Sequence, residues 1–366
     1  MKKILILNQD QFGYHTDTYQ YCRYLRRFYA ITYLCWDYGS AKVEQEGITI
    51  LYVSRSGNKL RRLSRYIQES MREIRKGKYD LVFVVHFPTS SLLPLLLGRR
   101  KMILDVRTGF VRNGPVFRII YDMCLLFDSL AFSRVTIISE SLRHQLHIPA
   151  ARCHVLPLGA EEVSVGEKQF REIRLFYVGS LDFRNIDATV DGFDRFCTEM
   201  NGNVAASYDI VGFGMAEEER RLTGAIQRAR NSRCITFHGR IPNKDLKPFL
   251  ERNNVGIAFI PMKRHYQVQP ATKVFEYLLA GMVVLATKTI ENARVINSSN
   301  GVLVSDTAEG VYTGLMEIHR NLGTYDSSAI KSASRKYTLE NIIFGNLKPL
   351  FDRQMADHHA PGRVHE

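Results

Sequence analysis

The chain has 366 residues and a mass of 42.0 kDa, which predicts roughly two domains of ordinary size, each long enough to bury its own core. Hydrophobic residues make up 45% and charged residues 24%, a balance that excludes a disordered or fibrous chain. The formal net charge of +13 implies attraction to an anion: nucleic acid, an acidic membrane surface or a phosphorylated substrate.

From the N-terminus, Met1 to Asn8 offers two lysines and a short apolar run, too little for a secretory h-region. Leu92 to Leu97, interrupted by Pro94, is well short of the roughly 20 residues that a membrane span requires. Cys22, Cys35, Cys124, Cys153, Cys197 and Cys234 have no short paired spacing, so buried, reduced thiols are expected rather than a zinc set or disulfides. A cytoplasmic protein, not integral to a membrane, is the expectation.

Short β-rich runs then alternate with helical patterns. Lys3 to Leu7, Ile31 to Cys35, Ile48 to Val53, Leu81 to Val85, Met102 to Val106 and Val135 to Ile138 read as strands, and alternation of this kind predicts a parallel sheet covered by helices. Continuous runs such as ILIL and LVFVV fit strands buried on both faces. Between the third and fourth strands, Leu60, Leu63, Ile67, Met71 and Ile74 recur at helical spacing, leaving Arg61, Arg62, Arg65, Arg72 and Lys76 largely on other faces. From Arg55 to Lys78 there are nine Lys or Arg against two Glu, over half of the whole positive excess. This basic amphipathic helix, 60–76, reads either as a solvated face or as a peripheral docking surface on anionic lipid.

The rhythm pauses from Leu156 to Lys168, where Pro157, Gly159, Gly166, Glu161 and Glu162 interrupt it, and a linker is placed there. The expected domains are 1–160 and 170–338. A second strand series follows: Leu175 to Val178, Tyr208 to Val211, Cys234 to Phe237, Val255 to Ile260, Val283 to Ala286 and Val302 to Val304. A helix over 339–355 is expected to pack back on the first domain, followed by a mobile tail, 356–366.

The most informative segment is QPATKVFEYLLAGMVVLAT, Gln269 to Thr287. Pro270 and Thr272 suit a helix start, Gly281 its C-terminal cap, and Val283 to Ala286 the strand that follows. The free N–H groups of such a helix start form a ready diphosphate site, to which Lys273 adds a full charge. Glu276 lies one turn further on, among apolar residues, where an ionised carboxylate needs a partner. A ribose diol and an ion pair with Lys273 both remain open for it.

In this segment the sequence resembles the GT-B glycosyltransferases of family 4 (glycosyl transferases group 1), in which Pro-x-Lys-x-x-Glu-Tyr leads into a helix ending in Ala-Gly and a strand. Lys273, Glu276, Tyr277, Ala280 and Gly281 match, and Pro270 stands one position early. VLPLGA (Val155 to Ala160) looks like the linker motif, and LFYVGSLDFRN (Leu175 to Asn185), YDIVGFG (Tyr208 to Gly214) and CITFHGRI (Cys234 to Ile241) resemble the first three donor-domain strands. The resemblance implies an α/β chain of the GT-B fold, with two Rossmann-like domains whose parallel sheets face an interdomain cleft. It implies a glycosyltransferase that moves a hexosyl or related group from a nucleoside-diphosphate sugar to a glycan or lipid-linked acceptor, retaining anomeric configuration, in surface polysaccharide assembly. Glu276 would bind the donor ribose and Lys273 its phosphates, with Gly179, Arg184, Gly212 and Thr272 also on the donor side. Three positions depart from the family: Val268 where an acidic residue is common, and Ser180 and Asn185 where Arg and Lys usually stand.

By the same resemblance, the first loop, Asn8 to Thr18, approaches donor and acceptor and contributes Gly13 and His15. His15 fits a structural role as well as a catalytic one. Two further strand ends point the same way: His86, and Asp105 to Thr108, where Asp105 and Arg107 fit either acceptor organisation or a structural ion pair. The sequence has no Asp-x-Asp motif, so neither a metal bridge nor a cofactor is indicated. An epimerase of the same fold is the nearest alternative, and a catalytically inactive chain is another. A dinucleotide oxidoreductase would need a third glycine after Gly212 and Gly214, and a nucleic-acid-binding role, suggested by Arg23, Arg26 and Arg27 near Tyr21 to Tyr29, lacks any known motif. No nucleic-acid partner is expected.

Overall fold

The computed structural model describes residues 1–99, 101–110 and 115–356; the expected tail thus lies almost wholly outside the described residues. The chain divides into two compact units, one formed by 1–158 together with the chain from 340 onward, the other by 159–339. Each is built on a parallel sheet with helical crossovers. Among the described residues no helix is long and apolar enough to cross a membrane.

The first sheet contains β1 (Lys2–Leu7), β2 (Tyr29–Asp37), β3 (Ile48–Ser54), β4 (Leu81–Val85), β5 (Met102–Val106), β6 (Arg134–Ile137) and β7 (Cys153–Val155), in the order β3-β2-β1-β4-β5-β6-β7. The apolar runs ILIL and LVFVV are the two central strands, paired from Ile4 with Leu81 to Leu7 with Val84. β7 escapes sequence reading because it is only three residues long and half-buried at the sheet edge.

The second sheet contains β8 (Ile173–Ser180), β9 (Ala206–Phe213), β10 (Ile235–Phe237), β11 (Val255–Ala258), β12 (Val283–Thr287) and β13 (Gly301–Val304), in the order β10-β9-β8-β11-β12-β13. In both sheets the strand order reverses once, between β1 and β4 and between β8 and β11. At such a reversal the adjacent connections depart to opposite sides and leave a crevice at the carboxyl ends of the strands.

The basic helix runs from Lys59 to Gly77, and its cap Asn58 accepts the Arg61 N–H at 3.0 Å. Its inward residues are Tyr66 and Ser70, whereas Leu60 is exposed and Leu63, Ile67, Met71 and Ile74 are only half-buried. The stripe expected from periodicity is therefore displaced: the sheet takes the Tyr66 side, whose hydroxyl donates to the Leu34 carbonyl. The final helical stretch is broken by a π turn at Ile343–Leu347 before Lys348–Ala356, and it packs on the first unit through Phe351 against Phe83 and Tyr29. All six cysteines are free, and Cys124 is exposed rather than buried.

One contact fixes the geometry of the second sheet. β8 and β11 are paired only from Val255 with Leu175 to Gly256 with Phe176. The buried ring of Tyr277 rests on Gly256, where a Cβ would come within 2.3 Å of it. The Tyr277 hydroxyl then accepts the Val178 N–H at 3.1 Å, replacing the strand partner that β8 loses. Gly256→Ala is accordingly expected to destabilise the protein by about 1–3 kcal/mol through overpacking. A urea midpoint equal to wild type would refute this account.

Candidate functional site

Beyond that contact the carboxyl ends of β8 and β11 separate, and a cavity of ≈ 270 Å³ opens at the reversal point. Tyr177 to Ser180 form one wall, Ile257 to Ile260 the other, and Gln269 to Lys273 the rim. The rim is the start of the helix Thr272–Leu279, which has no side-chain cap, so its first N–H groups are available to a ligand. The helix ends as the sequence indicated. Gly281, at φ 73°, donates to the Leu278 carbonyl, and Met282 donates to that of Tyr277, the paired bonds of a Schellman motif. This stop delivers the chain into β12 and so holds the N-terminal end of the helix at the cavity.

Lys273 and Glu276 form an ion pair, Nζ donating to the two carboxylate oxygens at 2.9 and 2.7 Å. Of the two partners the sequence left open, the ligand-free protein shows this one. Both side chains are more than a quarter exposed, so the pair contributes little to stability and is easily exchanged for a ligand. Arg184 lies 4.3 Å above the Tyr266 ring, a cation–π contact, and it has no carboxylate partner among the described residues. Burial first, then Lys263 and Arg184, pull the His265 pKa below its usual value, as expected of a positive field at this rim.

Gly179, Arg184, Thr272 and Lys273 all line the cavity, whereas Gly212 and Glu276 do not. Gly212 serves the close approach of β9 to β8: a Cβ there would meet the Gly179 carbonyl oxygen at 2.5 Å. The three departures from the family pattern also have structural correlates. Val268 is buried, Ser180 lines the cavity, and Asn185 adopts a left-handed φ of 54° in the loop that carries Arg184, a conformation Asn tolerates well. Tyr266 was missed, although the run KRHYQ just before the motif marks it.

In the first unit, His15 is the N-cap of helix Thr16–Leu25, with Nδ1 accepting from the Thr18 N–H at 3.4 Å and lying 3.1 Å from its hydroxyl. Gly13, at φ 91°, is held against Val43, which a Cβ would meet at 2.6 Å. Both residues thus shape the loop after β1. Asp105 is buried, accepts from the Thr136 hydroxyl at 2.6 Å, and binds Arg107 Nε at 2.7 Å. Arg107 also donates to the Tyr21 hydroxyl and faces Asp17 at 3.5 Å, close enough for an ion pair but not aligned for a hydrogen bond. The Asp105 and Arg107 pair therefore ties β5 to the helix that follows the first loop, which makes Asp105 a positioning residue.

His86, at the end of β4, pairs with Asp128 at 3.2 Å, a partner that sequence spacing does not reveal. Asp128 also accepts the Thr89 and Ser91 N–H groups at 3.2 and 3.1 Å. Burial pushes the Asp128 pKa up, but hydrogen bonds from His86 and Ser91 outweigh it and hold it below the usual carboxylate value. Among the described residues no group of three or more His, Cys, Asp or Glu is placed to hold a metal ion.

Comparison with known proteins fits this geometry. The fold is the GT-B fold of glycosyltransferases. Residues 172–321 match the family described as glycosyl transferases group 1. Similar solved structures include a sucrose-phosphate synthase from Thermosynechococcus elongatus, with a TM-score of 0.74 at 14% identity, covering 98% of this chain and 100% of its own. The Anabaena protein HepE in complex with UDP has a TM-score of 0.73 at 13% identity, covering 96% and 100%. A trehalose-6-phosphate protein from E. coli bound with UDP-2-fluoro glucose scores 0.72 at 10% identity, covering 96% and 99%. Comparison with the curated proteins gives no match.

Two outcomes follow from the first unit. Asp105→Ala leaves Arg107 buried without its closest counter-charge and is expected to cost about 3–5 kcal/mol of unfolding free energy while nucleotide affinity is unchanged. A loss of nucleotide binding at full stability would contradict the positioning role. Because the folded Asp128 pKa lies below its unfolded value, its contribution is present above the ordinary carboxylate range and lost as pH falls through the folded pKa. Asp128→Asn should thus lower the thermal midpoint at pH 7 and narrow the gap to wild type toward pH 3; a gap independent of pH would count against it.

Proposed function

We propose that the chain is a glycosyltransferase that uses a nucleoside-diphosphate sugar, with the donor diphosphate held in the cavity at the β8/β11 reversal. One observation carries the reading: a cavity at that crevice is rimmed by an uncapped helix start, Lys273 and an Arg184 that has no carboxylate partner among the described residues. The UDP and the UDP sugar bound by two of the similar structures support a donor of this kind.

An acceptor hydroxyl attacks the anomeric carbon, the bond from that carbon to the phosphate oxygen breaks, and the hydroxyl proton leaves with the nucleoside diphosphate or to solvent. Negative charge grows on the departing phosphate. Lys273, Arg184 and the N–H groups of Thr272 and Lys273 meet it with fixed positive charge and dipoles. When the diphosphate draws Lys273 away, Glu276 becomes free to accept the ribose hydroxyls. Retention of anomeric configuration rests on the family resemblance, and independence from metal on the lack of an Asp-x-Asp motif in the sequence. The acceptor, a glycan or lipid-linked glycan of surface polysaccharide assembly, is assigned to the first unit and its loop 8–15. The basic helix Lys59–Gly77 supplies electrostatic attraction to an anionic membrane, which would place the protein peripherally on a cytoplasmic face.

The test is the thermal midpoint with UDP, GDP, ADP and CMP, with and without magnesium. One diphosphate at about 100-fold over its Kd should raise it on the order of 5 °C, independent of metal. Lys273→Ala and Glu276→Ala should each weaken that nucleotide roughly 10- to 100-fold, the worth of a charge-assisted hydrogen bond. No shift with any nucleotide at millimolar concentration would overturn the reading.

A further inference from the structure

The helix Pro115–Ala131 is amphipathic in the sense opposite to that of a helix covering a sheet. Its buried residues are Leu125, Asp128 and Ser129, with Tyr121 and Asp122 half-buried beside them, Tyr121 against the His86 ring. Its outward side presents Phe117, Ile119, Ile120, Met123 and Phe127, each more than half exposed, Phe117 at 70%. The charged groups are thus turned in and the large apolar groups turned out. The neighbouring helix Leu92–Leu97 adds Leu95 and Leu96, 70% and 58% exposed.

These elements form one surface. Asp128 binds the turn that leads into Leu92–Leu97 through the Thr89 and Ser91 N–H groups, and Leu92–Leu97 packs on the basic helix Lys59–Gly77. The three helices connect β3 to β4, β4 to β5 and β5 to β6, successive steps in one direction across the sheet, and right-handed crossovers place all three on the same face. Arg61, Arg72, Arg75 and Lys76 are exposed on the basic member, and Arg99 and Lys101 flank the short one.

We infer that this face inserts into the surface of an anionic lipid bilayer, with the helix Pro115–Ala131 lying in the interfacial plane and the basic helix beside it on the acidic headgroups. Contiguous exposed apolar patches of this kind mark interaction sites. A 17-residue helix with one apolar face suits the boundary between headgroups and acyl chains, not a crossing of the membrane. Charge selects the occupant. A second copy docked symmetrically would bring its own basic helix toward the first, whereas acidic lipid meets the apolar and the positive parts together. The inference rests on the membrane reading given above for its electrostatic part and adds an apolar anchor that places the acceptor-side unit on the bilayer.

The test is sedimentation of the full chain with vesicles of phosphatidylcholine alone and of phosphatidylcholine with phosphatidylglycerol. Wild type is expected to be retained by the acidic vesicles. The double variant Phe117→Asp and Phe127→Asp is expected to bind them at least about 10-fold more weakly, with its thermal midpoint and nucleotide affinity unchanged because both side chains point outward. An environment-sensitive dye on Cys124, the one exposed cysteine, should shift its emission to the blue on binding. Equal retention of variant and wild type, no dye shift, failure of wild type to bind acidic vesicles, or a dimer that the variant dissolves would each overturn the inference. Arg72→Glu with Arg75→Glu separates the two readings: if it binds as wild type while the apolar variant does not, electrostatic docking fails and insertion stands.

Discussion

The seat of Tyr277 on Gly256 is the constraint on which the second unit depends. A side chain at position 256 would displace the ring, and without the ring the Val178 N–H would lose its acceptor. With the ring in place, β8 and β11 stay paired at their start and part at their carboxyl ends, where the cavity lies. The same residue belongs to the helix whose N-terminus rims that cavity. Packing in the core and placement of the groups at the cavity rim are therefore one arrangement.

A similar economy operates in the first unit. Two buried carboxylates stand at successive places on the sheet and its crossover helices: Asp105, bound to Arg107 and Thr136, and Asp128, bound to His86 and two backbone N–H groups. Buried charge survives only when it is paired and hydrogen-bonded. Each carboxylate therefore fixes a neighbour: Asp105 holds the helix after the first loop, and Asp128 holds the turn before Leu92–Leu97. The inward pull of Asp128 also leaves the opposite, apolar side of its own helix facing out.

Positive charge is distributed over two different tasks. Around the cavity, Lys273 and Arg184 are held by weak, exchangeable contacts, one a half-buried ion pair and the other the face of an aromatic ring. Neither contact satisfies its cation as a phosphate would. On the first unit the excess is spread along an exposed helix, where solvent and salt screen it and only a large anionic surface can use it collectively.

The alternation of strands and helices, the buried runs ILIL and LVFVV, and the helix stop at Gly281 were legible in the sequence because each is a local property: backbone freedom at one residue, or an unbroken apolar run that fits only a doubly covered strand. The helix start at Thr272 was legible for the same reason, since it depends on the residues beside it. Tertiary structure alone decided that Arg184 rests on Tyr266 and that Asp128 meets His86 from 42 residues away. It also decided which side of each helix the sheet covers. Periodicity shows that a helix has faces, as at 60–76, but not which face the sheet covers: in Pro115–Ala131 it is the apolar side that faces out. Its buried carboxylate, paired only through the fold, sets the orientation.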